Sequence, residues 1–116
     1  RGNNVMKDAR IYLIHIRECL TRIENYTQQG QNDFMNNILI QDAVLRNLEV
    51  MGESIKQLPE DWKASQPNIE WVKIGDFRNV LAHDYLRVDL DVVWTIIENY
   101  LPGLEEAIDS IFNEFW

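Results

Sequence analysis

The sequence predicts an all-α fold, an antiparallel bundle of four to five helices. Three observations carry that prediction. Apolar residues recur at alternating spacings of three and four along most of the chain, the period of one helix face. Glycine and proline punctuate these stripes at Gly30, Pro59, Pro67 and Pro102, residue types that stop or bend helices. No segment alternates apolar and polar residues between hairpin turns, and the one β-branched cluster falls inside a helical pattern.

The first stripe is Met6, Ala9, Leu13, Ile16, Leu20 and Ile23, broadened by Val5, Tyr12, Cys19 and Tyr26. It predicts a helix of five or more turns. Residues 1–5 read as a tail left by expression or by an upstream start, because Met6-Lys7-Asp8 reads like a natural beginning. The expected domain is 6–116. Gln28-Gln29-Gly30-Gln31-Asn32 lacks periodicity and connects to a second helix starting near Asp33, whose short polar side chain suits a cap. That helix places Ile38, Leu45, Leu48 and Ile55 on one face, with Val44, Met51 and Leu58 beside it, and ends at Pro59.

Its other face carries Asp42, Arg46, Glu49, Glu53 and Lys56, spaced for mutual ion pairing on a solvated surface. Gly52 is costly inside a helix, by about 1 kcal/mol relative to Ala, so another backbone is expected close by. Residues 60–66 suit a short helical turn. A third main helix, capped by Asn68, runs from Ile69 to about Ala82 with Trp71, Ile74 and Phe77 or Arg78 inward. The last begins near Asp89, turns Val92, Val93, Ile96, Ile97 and Tyr100 inward, and should bend or break at Pro102-Gly103. Leu104, Ala107, Ile108, Ile111 and Phe115 resume the stripe.

At 116 residues the chain fits one domain. Its 46% hydrophobic and 26% charged content is that of a folded soluble protein. No apolar run nears the roughly 18 residues of a membrane span, and no basic-then-apolar secretion signal opens the chain, so no membrane is expected and the cytoplasm is the expected compartment. The lone cysteine, Cys19, reads as a small buried side chain and not a nucleophile. A net charge of −8 argues against non-specific nucleic-acid binding. An RNA-cutting chain of this charge must gather its few cations in one groove or borrow them from a second subunit.

The densest chemistry lies in Gly75-Asp76-Phe77-Arg78-Asn79-Val80-Leu81-Ala82-His83-Asp84-Tyr85. Five helical steps turn a side chain by about 500°, leaving Arg78 and His83 roughly 140° apart. Asn79 is the true helical neighbour of His83. On spacing alone, a salt-bridged helix terminus accounts for the pair. His15 reads as structural or surface, Tyr85 as a core aromatic, and Trp62, Trp71, Trp94 and Trp116 as core and interface residues.

Two signatures change that balance. Arg78-Asn79-x3-His83-x-Tyr85 resembles the R-x4-6-H motif of HEPN domains, and its His-x-Tyr ending resembles the HepT branch. The segment Gln41-Asp42-Ala43-Val44-Leu45-Arg46-Asn47-Leu48-Glu49-Val50-Met51-Gly52-Glu53 resembles that branch's second-helix signature. With Trp71, Val93-Trp94 and Leu101-Pro102, the likeness spans residues 6 to 112.

The resemblance implies a HEPN-like bundle working as a homodimer, and a metal-independent endoribonuclease in which Arg78 and His83 are catalytic. It further implies the toxin half of a type VII-like HEPN/MNT toxin–antitoxin pair, with Tyr85 accepting AMP from a cognate minimal (MNT) nucleotidyltransferase. RNA, tRNA or mRNA, is the expected substrate, and larger assemblies with the antitoxin stay open. The residue types suit this chemistry. An imidazole titrates near neutrality and can take the proton of a ribose 2′-OH, while a guanidinium stays charged and grips phosphate oxygens. Adjacency makes Asn79 a candidate for orienting His83 or bonding phosphate, and Asp84 a candidate for setting the imidazole tautomer. Arg46, Glu49 and Glu53 are candidates for the cleft, the dimer contact or the antitoxin surface. No metal is expected, because Cys/His ligand spacing is lacking, and no cofactor, because no glycine-rich phosphate loop occurs. The competing reading is a non-catalytic helical binding or regulatory partner of a nucleotidyltransferase.

Overall fold

The longest apolar stripe becomes the longest helix. In the computed structural model, which describes the backbone from Gly2 and side chains from Ala9 onward, α1 spans Gly2–Tyr26. Ala9, Leu13, Ile16, Leu20 and Ile23 are buried, as is Cys19, whose thiol is pushed above its ordinary pKa by that burial. The expected contributions of Val5 and Met6 lie outside the described side chains.

Gly30 ends the connection with φ +93, a conformation open to glycine and strained for other residues, and serves as the cap of α2, Gln31–Asn36. The expected single second helix is two. Asn37 adopts an extended backbone and its side chain accepts from the Ile40 N–H at 3.3 Å, capping α3, Ile38–Lys56. Asp33, expected as the cap, lies inside the first turn of α2. The break at Asn37 shifts the phase of the stripe, so Ile38 is 72% exposed instead of joining the apolar face. Val44, Leu45, Leu48, Met51, Ile55 and Leu58 are buried as expected.

Pro59 opens α4, Glu60–Ala64, whose Trp62 is buried and stacks on Phe115 with ring centres 5.4 Å apart. Helix α5 spans Trp71–His83, starting two residues later than expected; Asn68 does not cap it. The Trp71 indole N–H instead donates to the Lys63 and Gln66 carbonyls at 2.9 and 3.1 Å, tying α5 to the exit of α4. A single 3-10 turn, Tyr85–Arg87, follows.

Asp89 caps α6, Leu90–Thr95, its carboxylate accepting from the Asp91 N–H at 2.9 Å. The bend or break expected at Pro102-Gly103 takes the form of an interruption of the α-helix just ahead of it. Pro102 has no N–H to donate one turn back, and the segment Ile96–Tyr100 ahead of it widens into a π turn in which the Leu101 N–H reaches the Ile96 carbonyl. Helix α7, Leu101–Phe115, then continues, burying Leu104, Ala107, Ile108 and Ile111. Tyr100 and Val92, expected inward, are exposed: the π turn changes the angular step at Tyr100, and the short α6 buries only the line through Val93 and Trp94.

All regular structure among the described residues is helical. Helix α3 packs against α1 on one side and α5 on the other, and α7 packs against α1. This order leaves α5 at the flank of the bundle. No described helix is long and apolar enough to cross a membrane.

Candidate active site

Helix α5 reaches α3 where α3 has no side chain. A Cβ placed on Gly52 would lie 2.7 Å from the Cβ and 2.9 Å from the Cγ of Arg78, closer than packed carbons tolerate. Another backbone was expected close to this glycine; the space is filled by the side-chain stem of Arg78, with its Cα 3.8 Å away. Pinned there, Arg78 extends its guanidinium to Glu53, one residue further along α3, with Nη2 and Oε2 2.7 Å apart. Its Nη1 donates to the Asn79 side-chain oxygen at 3.3 Å. Its Nε–H is buried without a hydrogen-bond acceptor.

His83 is the last residue of α5 and is exposed. Because the helix continues through it, the roughly 140° between Arg78 and His83 stands. Arg78 faces α3, while His83 shares the outer side of α5 with Val72, eleven residues earlier and about 20° away around the axis. No hydrogen bond joins Arg78 to His83 within one chain among the described residues. No hydrogen bond or ion pair links His83 to Asn79 or Asp84 among the described residues; the Asp84 carboxylate lies 3.7 Å from Arg87 Nε instead.

Tyr85 turns back toward α3. Its hydroxyl donates to Asp42 Oδ1 at 2.8 Å across 43 residues of sequence. The phenol is pushed above its ordinary pKa, first by partial removal from water, then by this hydrogen bond and by the negative charges of Asp42 and Glu49. Tyr85 is thus no core residue but 39% exposed, with its polar end held. Arg46, also exposed, approaches Glu49 at 3.9 Å.

The polar face of α3 therefore divides its carboxylates. Arg46 and Glu49 pair with each other as expected, but Asp42 and Glu53 are taken by Tyr85 and Arg78 from α5 and the turn after it. Asp42 was not among the expected site residues. Its signal in the sequence is register: positions 42, 46, 49 and 53 follow one line of a helix, the line that meets the motif. His15 packs edge-on against Tyr12 with ring centres 6.5 Å apart, exposed on α1. Trp62 and Trp94 are buried, Trp71 is half-buried, and Trp116 is 52% exposed. Among the described residues, no three His, Cys, Asp or Glu side chains gather closely enough to hold a metal ion.

Comparison with known proteins shows the family. The family described as Ribonuclease HepT-like matches residues 16–111. A Methanocaldococcus jannaschii protein, whose name joins a gamma-glutamylcyclotransferase to a provisionally assigned RNase, is 38% identical over 93% of this chain. The chain spans about half of that protein, 49% of its length. A Thermococcus cleftensis protein named probable ribonuclease HepT is 34% identical over 86% of this chain and 92% of its own length. The Shewanella oneidensis mRNA nuclease HepT is 27% identical over 85% of this chain and 92% of its own. No solved structure matches the chain significantly.

Proposed function

The chain belongs to the HepT-like ribonuclease family, and from that premise we propose that it is a metal-independent endoribonuclease, the toxin of a toxin–antitoxin pair. The observation that carries the proposal is Arg78, seated in the gap at Gly52 and oriented by Glu53. A guanidinium so fixed keeps its geometry as charge builds on phosphate.

In the reaction, His83 takes the proton from a ribose 2′-OH. The 2′-oxygen bonds to the adjacent phosphorus, the bond from phosphorus to the 5′-oxygen breaks, and that oxygen takes a proton from a second imidazolium. The products are a 2′,3′-cyclic phosphate and a 5′-OH end. One chain supplies one His83, on the opposite flank of α5 from Arg78, so the working unit is a homodimer in which two motifs share a cleft. Val72, at 78% exposure, and Leu86, at 96%, are apolar side chains at and around the His83 flank that a second copy would cover. Pairing also concentrates cations on a chain of net charge −8.

Inhibition follows from Tyr85. A cognate nucleotidyltransferase would join the Tyr85 oxygen to the α-phosphorus of ATP, releasing pyrophosphate and the phenolic proton. The result is a bulky anion two residues from His83. Asn79, bonded to Arg78, belongs to the phosphate side of the site, while Asp84, facing Arg87, acts at the helix end.

The test is incubation of the purified chain with total cellular RNA in EDTA beside His83→Ala, followed by sequencing of the ends. Cuts made by the parent and lost in the variant are expected. A folded parent that cuts nothing overturns the proposal.

A further inference from the structure

We propose that Asp42 is a positioning residue for His83, acting through the hydroxyl of Tyr85 across the gap between α3 and the turn that follows α5. The inference rests on the nuclease reading above and adds a residue to its site. His83 has no side-chain partner among the described residues, so its direction depends on where the end of α5 is held. Asp84 leaves the helix with φ −144 and ψ 43. The bonds that follow are local: Asp84 N–H to Val80 at 2.8 Å, Arg87 N–H to Asp84 at 3.0 Å, Val88 N–H to Tyr85 at 3.3 Å. Leu86 and Arg87 are exposed and hold nothing beyond this turn. Among the described residues, the 2.8 Å bond from Tyr85 to Asp42 is the one side-chain hydrogen bond or ion pair tying residues 84–88 to another helix.

Asp42 lies on α3, the helix that also seats Arg78 through Gly52 and Glu53. One rigid helix thus references both halves of the motif: Arg78 directly, His83 through Tyr85. The same contact gives modification a second effect. A nucleotide on the Tyr85 oxygen removes the hydrogen that Asp42 accepts and sets a phosphodiester anion against the carboxylates of Asp42 and Glu49. Attraction becomes repulsion, and the turn leaves α3.

The experiment compares the full-length parent with Asp42→Ala, Tyr85→Phe, their double variant and Asp42→Asn, reading two quantities. One is hydrogen exchange at the Arg87 and Val88 amides, with α1 amides as the fold control. The other is turnover and KM on an oligoribonucleotide carrying a site cut by the parent. Loss of one charge-assisted hydrogen bond is expected to speed exchange at those amides about tenfold and lower kcat about tenfold, with KM within about twofold. The double variant should be no worse than either single one, and Asp42→Asn, whose amide oxygen still accepts, should recover most of the loss. Unchanged exchange in Asp42→Ala, or additive losses in the double variant, overturns the proposal. A parent that cuts no RNA removes the nuclease reading, and the exchange data then decide on their own whether Asp42 holds the end of α5.

Discussion

Helix α1 turns Ala9, Leu13, Ile16, Leu20 and Ile23 into the interior, each at most 4% exposed, over its 25 residues. Helix α5, with 13 residues, fully buries Leu81 alone. Trp71, Ile74 and Phe77 are half-buried, and Val72 and Val80 face outward at 78% and 44% exposure. The first helix is held by apolar packing, a term of roughly 1.5–3 kcal/mol for each large side chain removed from water. Helix α5 is located by a few polar contacts at defined points, the Trp71 indole on two carbonyls and the Arg78 guanidinium on Glu53, with the Tyr85 phenol on Asp42 in the turn that follows it. Packing that is non-directional suits a scaffold, whereas directional bonds fix the angle of a reactive side chain. The candidate motif thus sits on a helix that buries one residue fully and is tied to its neighbours by directional contacts.

That contrast is open to attack in descending order of effect on stability. Trp62→Ala empties a fully buried site against Phe115 and should cost about 3–5 kcal/mol in denaturant unfolding. RNA cleavage by the fraction that remains folded should be unchanged. A variant that unfolds little would show that the core is not where the stability lies.

Gly52→Ala should cost less but damage the site more. The new methyl meets the stem of Arg78 and not a flexible tip, so α5 must shift; the overpacking costs about 1–3 kcal/mol, partly offset by the roughly 1 kcal/mol that Ala gains over Gly in a helix. Cleavage should fall roughly a hundredfold, as for other displacements near 1 Å. Normal turnover in this variant would mean that the seat of Arg78 is immaterial.

Glu53→Gln should change stability by no more than about 1 kcal/mol, since the pair is partly exposed. Its expected mark is a several-fold loss of turnover with little change in KM. The smallest effect is the titration of Tyr85. Its raised pKa means that the contribution of the protonated phenol is complete below the ordinary value of 10.0 and disappears as pH climbs through the higher folded value. Phenolate absorbance should therefore show a late component that Tyr85→Phe removes. Asp42→Asn should lower that component only partly, because partial desolvation is its largest cause.

The scaffold was legible because burial on one face leaves a period in the chain. Most of the stripes of α1, α3 and α7 could be read from that period, Ile38 being the exception on α3 and the side chains of Val5 and Met6 lying outside the described residues. Asn37 escaped because an extended residue capping a helix looks, in sequence, like one polar position inside a longer one. At Pro102 the expected bend or break takes the form of a π turn just ahead of it, which accommodates the missing N–H. At the candidate site, Arg78, His83 and Tyr85 were readable as a dense cluster, and Gly52 announced a close neighbour. The pairing of Asp42 with Tyr85 and of Glu53 with Arg78 was not readable. Carboxylates at helical spacing from Arg46 and Lys56 have local partners available, and only the approach of α5 decides which bonds form.

The empty space at Gly52 also has a consequence for descent. Arg78 occupies the volume that any larger residue at 52 would claim, so packing couples the two positions across two helices. A lineage that acquires a side chain at 52 must at the same step shorten or relocate the residue at 78. Grafting the Arg78 to Tyr85 segment onto another helical bundle would transmit nothing useful unless the notch in its neighbour came with it.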